Sequence, residues 1–206
     1  MSRHPEGTCP DRAGFTMVEL IMVMVLIGIL GAVAGSRFFD RQVFESKAYA
    51  DQAKALIRYA QKLAIAQNRP VFVRSTPNGF AVCVDPVVDG TSAAGTVCNT
   101  ADALAQAPGG ANNGTTATRA FCIAPNNLYI ANWACLGRPP SVAIASTAAR
   151  NEMADSGFFF FDSAGRPFNR NDTVGGTSSF ARLTLNVDSG NQRATLNIEA
   201  ETGYVF

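Results

Sequence analysis

The feature that most constrains this chain is an apolar stretch near its N-terminus. Residues 20 to 36 contain no charged side chain. The length of this stretch is at the lower limit of the roughly 17 to 25 residues that an apolar helix needs to cross a bilayer. One carboxylate, Glu19, comes immediately before it. An ionised carboxylate inside a bilayer costs about 2.5 to 3.5 kcal/mol on insertion scales. Glu19 therefore indicates either a place among lipid headgroups or a functional partner.

A short polar leader, residues 1–14, comes before this stretch. It is unlike an ordinary secretory signal, whose cleavage site follows its apolar region. A cut after Gly14 would give Phe15 a new α-amino group four residues before Glu19, on the same helical face. That amine can neutralise the acid within one chain or between neighbours. Arginines flank both ends of the stretch, so the positive-inside rule leaves its orientation open.

Three glycines, Gly28, Gly31 and Gly35, interrupt the apolar stretch. The last two have the small-xxx-small spacing that allows helices to pack closely. Each glycine costs about 1 kcal/mol relative to alanine in a helix. We therefore expect residues 15–37 to form an assembly helix that also unwinds readily.

Residues 38–69 predict an amphipathic helix. Its apolar side chains recur at spacings of three and four, while the charged side chains lie on another face. Pro70 ends the pattern, because the residue before a proline avoids the α region. If both helices are continuous, residues 15 to 67 form a spine of about 80 Å. The apolar positions are Tyr49, Ala53, Leu56, Ala60 and Leu63.

Residues 70–206 predict a mostly antiparallel β head, and the whole chain an α+β fold. Runs rich in Val, Ile, Phe and Thr alternate with Gly, Pro and Asn turns. We expect a loop insertion at 85–118, either functional or merely tolerated. The expected strands are a hairpin (71–74, 80–84), short strands (119–123, 128–133, 142–145), a strand buried on both faces (157–161) and a last hairpin (180–187, 192–198).

Four of the five cysteines lie in the head, and Cys9 lies in the leader. An even number in a domain beyond a membrane indicates two disulfides, with three possible connectivities, although free thiols remain the alternative. Short loop closure favours Cys83 with Cys98 and Cys122 with Cys135.

The sequence offers little for catalysis. The one histidine, His4, lies in the leader, and the head has no phosphate loop, no nucleophile elbow and no metal-ligand spacing. From residue 70 onward, eight arginines, no lysine and ten acids give a net charge of −2. A slightly acidic head has no overall electrostatic attraction to nucleic acid. We expect no enzyme activity, no catalytic residue, no cofactor and no metal.

The motif Gly14-Phe15-Thr16-Met17-Val18-Glu19, followed by the apolar run, resembles the class III signal of type IV pilins and type II secretion pseudopilins. Two head segments, 58–71 and 161–167, are similar to those of the FimT/GspH branch of minor pilins and pseudopilins, and to MshC-type prepilins. The pilin fold that this implies is a helical spine, transmembrane in its first half, packed on a β head. This chain differs from many major pilins at Ser36, a position where they often have proline.

The resemblance implies a structural subunit of a filament or of its tip complex. A prepilin peptidase would cleave after Gly14 and methylate the amine of Phe15, and Glu19 would engage the terminal amine of a neighbour. The partners implied are other major and minor pilins or pseudopilins, an inner-membrane assembly platform and membrane lipid. The chain would cross the inner membrane once, with its leader in the cytoplasm and its head in the periplasm, before it enters the filament.

The alternative function is DNA binding during DNA uptake, which some FimT relatives perform through an arginine-bearing C-terminal segment. Here no arginine follows Gly203, and Glu199 and Glu201 precede it. This departure disfavours the alternative. The arginines able to form a patch are Arg166, Arg170, Arg182 and Arg193.

Overall fold

The computed structural model describes residues 15–38, 41–84, 98, 100–123, 127–146 and 157–206. The chain divides into two compact units, Met1–Asp40 and Arg41–Phe206. The elements are α1 (Met17–Phe38), α2 (Arg41–Gln67), α3 (Thr116–Phe121), β1 (Val71–Thr76), β2 (Gly79–Cys83), β3 (Cys135–Gly137), β4 (Ala143–Ser146), β5 (Phe158–Phe161), β6 (Pro167–Asn169), β7 (Leu183–Ser189) and β8 (Gln192–Ile198).

The described part of the first unit is the helix α1 with the two residues before it. The expected continuity with α2 depends on residues 39 and 40, which lie outside the described residues. The predicted α+β class, helices with antiparallel sheets, is confirmed.

In the second unit, α2 packs its apolar face on the sheets. The buried stripe follows the helical period and belongs to one hydrophobic cluster with the strands, while Leu56 and Leu63 lie at its margin. The stripe consists of Tyr49, Ala53, Ile57, Ala60 and Ala64.

The end of α2 is a Schellman motif. Asn68 has a positive φ of 50°, its N–H donates to the carbonyl of Ile65, and the N–H of Arg69 donates to that of Ala64. Asparagine tolerates this left-handed conformation better than most residues. Two carbonyls of the last turn are thereby satisfied before the chain enters β1.

The larger sheet has five strands in the order β3-β2-β1-β5-β6, and its pairs are all antiparallel. The predicted hairpin of β1 and β2 is present. In β5, Phe159 and Phe161 join the cluster below α2, whereas Phe158 and Phe160 join a second cluster on the opposite face. This sheet is therefore apolar on both faces, as expected for the phenylalanine run.

The smaller sheet has three strands in the order β4-β7-β8. Its leucines, Leu183, Leu185 and Leu196, face the cluster shared with α2. The β7–β8 turn consists of Gly190 and Asn191, and Gly190 has a positive φ of 57°. That two-residue turn is shorter than the four-residue turn expected from the sequence, so β7 extends to Ser189.

The second half of the expected loop insertion forms part of the core. Ala103, Ala105 and Ala107 are buried, and Ala105 donates to the carbonyl of Val82 and accepts from the N–H of Ala134. Residues 85–97 and 99 lie outside the described residues. Small side chains suit this position, because the backbone of residues 103–107 must lie between two neighbouring segments.

Two of the short expected strands are wrong. Residues 116–121 form a helix rather than a strand, because Thr115 caps it by accepting from the N–H of Thr118. Between residues 128 and 133, the described structure has only isolated bridges at Tyr129 and Trp133. The strand of this region is β3, and Trp133 is a core residue whose indole N–H donates to the carbonyl of Val82 at 2.9 Å.

Both disulfides lie beside the second cluster. They join Cys83 to Cys98 and Cys122 to Cys135, with Cα separations of 5.4 and 6.0 Å. These are the two pairs that short loop closure favours. Closing loops of this size stabilises a fold by about 3 kcal/mol each on the chain-entropy account, so the two disulfides hold Cys98 and the end of α3 against the sheet.

Replacing Ile57 with alanine should destabilise the second unit by about 2 to 5 kcal/mol, because its side chain is fully buried between α2 and the sheets. The matched control is Ile65→Ala on the same helix, whose side chain is 51% exposed. It should cost less than about 1 kcal/mol. Urea unfolding of the full chain in detergent, followed by Trp133 fluorescence, measures both. Equal losses would contradict the packing described for α2.

Candidate assembly site

Thr16 caps the first turn of α1. Its carbonyl accepts from the N–H of Leu20 at 3.2 Å, and its hydroxyl accepts from the N–H of Glu19 at 3.3 Å. These two bonds define an N-cap and satisfy helix amides that have no partner within the helix. The Thr16–Glu19 spacing is that of a capping box. The cap fixes the helix start at Met17, two residues after Phe15.

The side chains described in α1 are exposed in its own unit. Every large apolar residue from Phe15 to Leu30 is exposed, from 47% at Val23 to 84% at Met17. A helix that is apolar on all sides is stable only in apolar surroundings. Among the described residues, none of the helices has both the length and the hydropathy required of a membrane-crossing segment.

Glu19 lies exposed on this helix, one turn after Phe15. None of the described residues forms an ion pair with its carboxylate. Negative charge in the first turn is favourable, because the amide groups there give that end of the helix a partial positive charge. The acid is therefore compatible with the start of the helix and available to a cation.

The glycines of α1 leave open surface. A β-carbon at Gly28 or Gly31 would meet nothing within 4 Å, so neither glycine is required for packing against the described residues. Gly35 belongs to α1, but its surroundings lie outside the described residues, as does Gly14.

The four arginines considered for DNA binding are divided between the two sheets, and each has a contact. Arg166 lies over the ring of Phe168, and Arg170 over that of Phe158. Arg182 pairs with Glu199.

The fourth arginine, Arg193, donates two hydrogen bonds to Asp188, at 2.7 and 3.0 Å. Its guanidinium holds the pKa of the Asp188 carboxyl below the ordinary value. Both acidic partners reduce the positive charge that a phosphate would meet.

The helix α2 carries a buried tyrosine, Tyr49, whose hydroxyl has no hydrogen-bond partner among the described residues. Burial raises the pKa of Tyr49 well above its ordinary value, and the nearby Arg138 acts in the opposite direction. Tyr49 is therefore neutral. Among the described residues, no group of three His, Cys, Asp or Glu side chains is placed to hold a metal ion.

The N-terminal site matches a known family. Residues 9–35 match the Prokaryotic N-terminal methylation motif. The match includes Gly14, Phe15, Glu19 and the three glycines of α1. The predicted resemblance of this segment to the type IV pilin signal is confirmed.

A curated relative matches part of the chain. It is the type IV narrow pilus major component PilA5 of Thermus thermophilus, 40% identical over 58 residues, or 28% of this chain. The match spans 50% of the relative's length, so the chain corresponds to about half of it.

Two solved structures resemble the chain over most of its length. The type IV minor pilin FimU of Pseudomonas aeruginosa is 11% identical and aligns 78% of this chain with 90% of its own, at a TM-score of 0.40. The minor pseudopilin EpsH of the Vibrio cholerae type 2 secretion system is 12% identical and aligns 79% with 94%, at 0.42. Both TM-scores are below 0.5, so neither likeness bears on the function.

Sequence reasoning missed one residue of this site, the N-cap Thr16. The signal was present, because threonine followed three residues later by glutamate, just before an apolar run, is the pattern of a capping box. In the sequence, the conspicuous group of Glu19 is its carboxylate. In the structure, the backbone N–H of Glu19 donates to the hydroxyl of Thr16.

Replacing Thr16 with alanine removes the acceptor for the Glu19 amide and should cost the first turn about 1 kcal/mol. We expect that amide to exchange with solvent about fivefold faster, as measured by hydrogen exchange of the full chain in detergent micelles. Thr16→Ser, which retains the hydroxyl, is the control and should exchange like the wild type. Unchanged exchange in Thr16→Ala would contradict the cap.

Proposed function

We propose that this chain is a minor type IV pilin or pseudopilin of the FimT/GspH branch. It acts as a structural subunit of a filament or of its tip complex rather than as an enzyme. The observation that carries the proposal is the arrangement at the start of α1. Phe15 and Glu19 lie one turn apart there, and the apolar helix that follows is exposed. The N-terminal methylation motif covers the same residues.

Processing is the first step of the proposed mechanism. Prepilin peptidase removes residues 1–14 by cutting after Gly14, and the new amine of Phe15 is methylated. Before cleavage, the Phe15 nitrogen is a neutral amide. After cleavage it is a cation, so processing creates the positive charge that Glu19 lacks among the described residues.

Membrane insertion and assembly follow from the apolar helix. Residues 15–37 are proposed to cross the inner membrane, with residues 38–69 and the head, 70–206, in the periplasm. The uncharged stretch from 20 to 36 and the exposed side chains of residues 15–31 support this placement. On leaving the bilayer, the helix exchanges lipid for the helices of other pilins, and an assembly platform in the inner membrane drives this step.

The charge pair sets the register of assembly. In a low-dielectric surrounding, an unpaired carboxylate costs several kcal/mol, so a subunit is stable only where Glu19 meets the amine of a neighbour. Gly28, Gly31 and Gly35 permit close approach of the packed helices.

Gly14→Ala should leave an uncleaved precursor, because a side chain is introduced at the residue before the cut. Intact mass spectrometry of the membrane fraction should show residues 1–14 retained and Phe15 without a methyl group. Ala13→Ser, one residue away, is the control and should give the mature mass. A mature product from Gly14→Ala would refute the proposed site.

Glu19→Ala should leave membrane insertion and cleavage intact and reduce incorporation into filaments at least tenfold. The reason is that the terminal amine of the neighbouring subunit then has no counter-charge. Immunoblots of sheared filaments against whole membranes measure the ratio, and Glu19→Asp, which retains the charge, should recover part of it. Wild-type filament levels in Glu19→Ala would remove Glu19 from the mechanism.

A further inference from the structure

Strand β8 lies at an edge of the smaller sheet. In an antiparallel pair, residues alternate between those bonded to the partner strand and those whose main-chain groups point away from it. The two-residue turn makes Ser189 and Gln192 the first bonded pair. The N–H and C=O groups of Arg193, Thr195 and Asn197 therefore point away from β7.

The far end of this edge already carries an added strand. Asn197 exchanges two main-chain hydrogen bonds with Phe206, at 2.9 and 3.0 Å, and Glu199 donates to the carbonyl of Tyr204 at 3.0 Å. Tyr204 to Phe206 run antiparallel to β8. This edge is thus straight and accessible enough to accept a strand.

The near end of the edge is open. No described residue bonds to the outward main-chain groups of Arg193 and Thr195. Instead, residues 192–196 form one wall of a groove of about 290 Å³, and the first half of α2 forms the other. The helix residues that line it are Ser46, Lys47, Ala50, Asp51 and Lys54.

The charges of the groove favour a partner with carboxylates. Lys47 and Lys54 have no ion pair among the described residues, and Arg193 adds a guanidinium already held by Asp188. Asp51 is the acid on the helix side. The excess positive charge lies on the helix wall, beside the open strand edge.

We propose that the β8 edge at Gln192–Leu196 binds an extended acidic segment of another polypeptide as an additional strand. The segment runs antiparallel to β8, in line with Tyr204–Phe206, and exchanges main-chain hydrogen bonds with Thr195 and Arg193. Such strand addition draws affinity from the main chain and specificity from alternate side chains. Here the specificity comes from carboxylates that meet Lys47 and Lys54.

A polypeptide fits this groove better than a nucleic acid does. A strand supplies both donors and acceptors to the alternating edge, whereas phosphates supply acceptors alone and would meet the carbonyls of Arg193 and Thr195. This inference is independent of the proposed function, because it concerns α2 and β8 of the second unit and uses no residue of α1.

The test is peptide binding to the purified full chain in detergent micelles, followed by fluorescence anisotropy. The probes are a labelled peptide Thr-Val-Asp-Val-Asp-Val-Thr and its match with lysine in place of aspartate. We expect the acidic peptide to bind at least tenfold more tightly. Equal binding of the two, or no binding of either at millimolar concentration, would overturn the proposal.

Two kinds of variant locate the peptide. Thr195→Pro removes an outward N–H without removing a bond to β7, so it should retain the fold and weaken binding at least tenfold. Ala194→Pro is its matched control, since it removes a bond to β7 and should lower the melting temperature. The double variant Lys47→Glu and Lys54→Glu leaves the backbone untouched and should reverse the preference between the peptides.

The contrary outcomes are distinct. Acidic-peptide binding that Thr195→Pro and the lysine variant leave unchanged would place the peptide elsewhere and refute the site. Tighter binding of a single-stranded oligothymidylate than of the acidic peptide, lost in the lysine variant, would assign the groove to nucleic acid instead. Normal filament incorporation of a variant that no longer binds the peptide would leave the proposed function standing.

Discussion

The structure of the head depends on the pairing of β1 with β2 on one side and β5 on the other. These three strands carry apolar side chains on both faces, among them Val71, Phe72, Phe159 and Phe160. A sheet of this kind is stable only if both faces are covered, since each large apolar side chain left in water costs about 1.5 to 3 kcal/mol. The remaining parts of the head supply the two covers.

One cover is regular and the other irregular. The helix α2, together with the smaller sheet, buries the face that includes Phe159 and Phe161. The opposite face is covered by Trp133 and by four partly buried side chains, and two disulfides tie Cys98 and the end of α3 to the sheet; the four are Leu104, Phe121, Tyr129 and Ile130. The small side chains of Ala105 and Ala107 belong instead to the cluster below α2, where they let the backbone of residues 103–107 lie close to the sheet.

The helix α1 also has apolar surface that must be covered. Among the described residues of its unit, none covers this apolar surface, so the surroundings must supply a cover. The proposed function gives it lipid first and other helices later. Glu19 makes that exchange selective, because a carboxylate in apolar surroundings is stable only beside a cation. The head, by contrast, has an open strand edge. The main-chain groups of that edge can form hydrogen bonds with an extended partner segment whatever its side chains are. The two units are therefore suited to two different kinds of contact.

The sequence by itself determined the elements whose signal is local. The apolar helix, the Pro70 stop, the doubly buried Phe158–Phe161 strand and the last hairpin all follow from periodicity and turn chemistry within a short window. The tertiary structure alone decided the elements that depend on distant partners. Residues 103–107 became core because Ala105 bonds to both Val82 and Ala134. The helix at residues 116–121 has a local cap at Thr115, but its place beside β3 depends on the N–H of Gly137, which donates to the hydroxyl of Thr118. The open edge of β8 was hidden for the same reason, since its neighbours on α2 lie far from it along the chain and only folding brings them together.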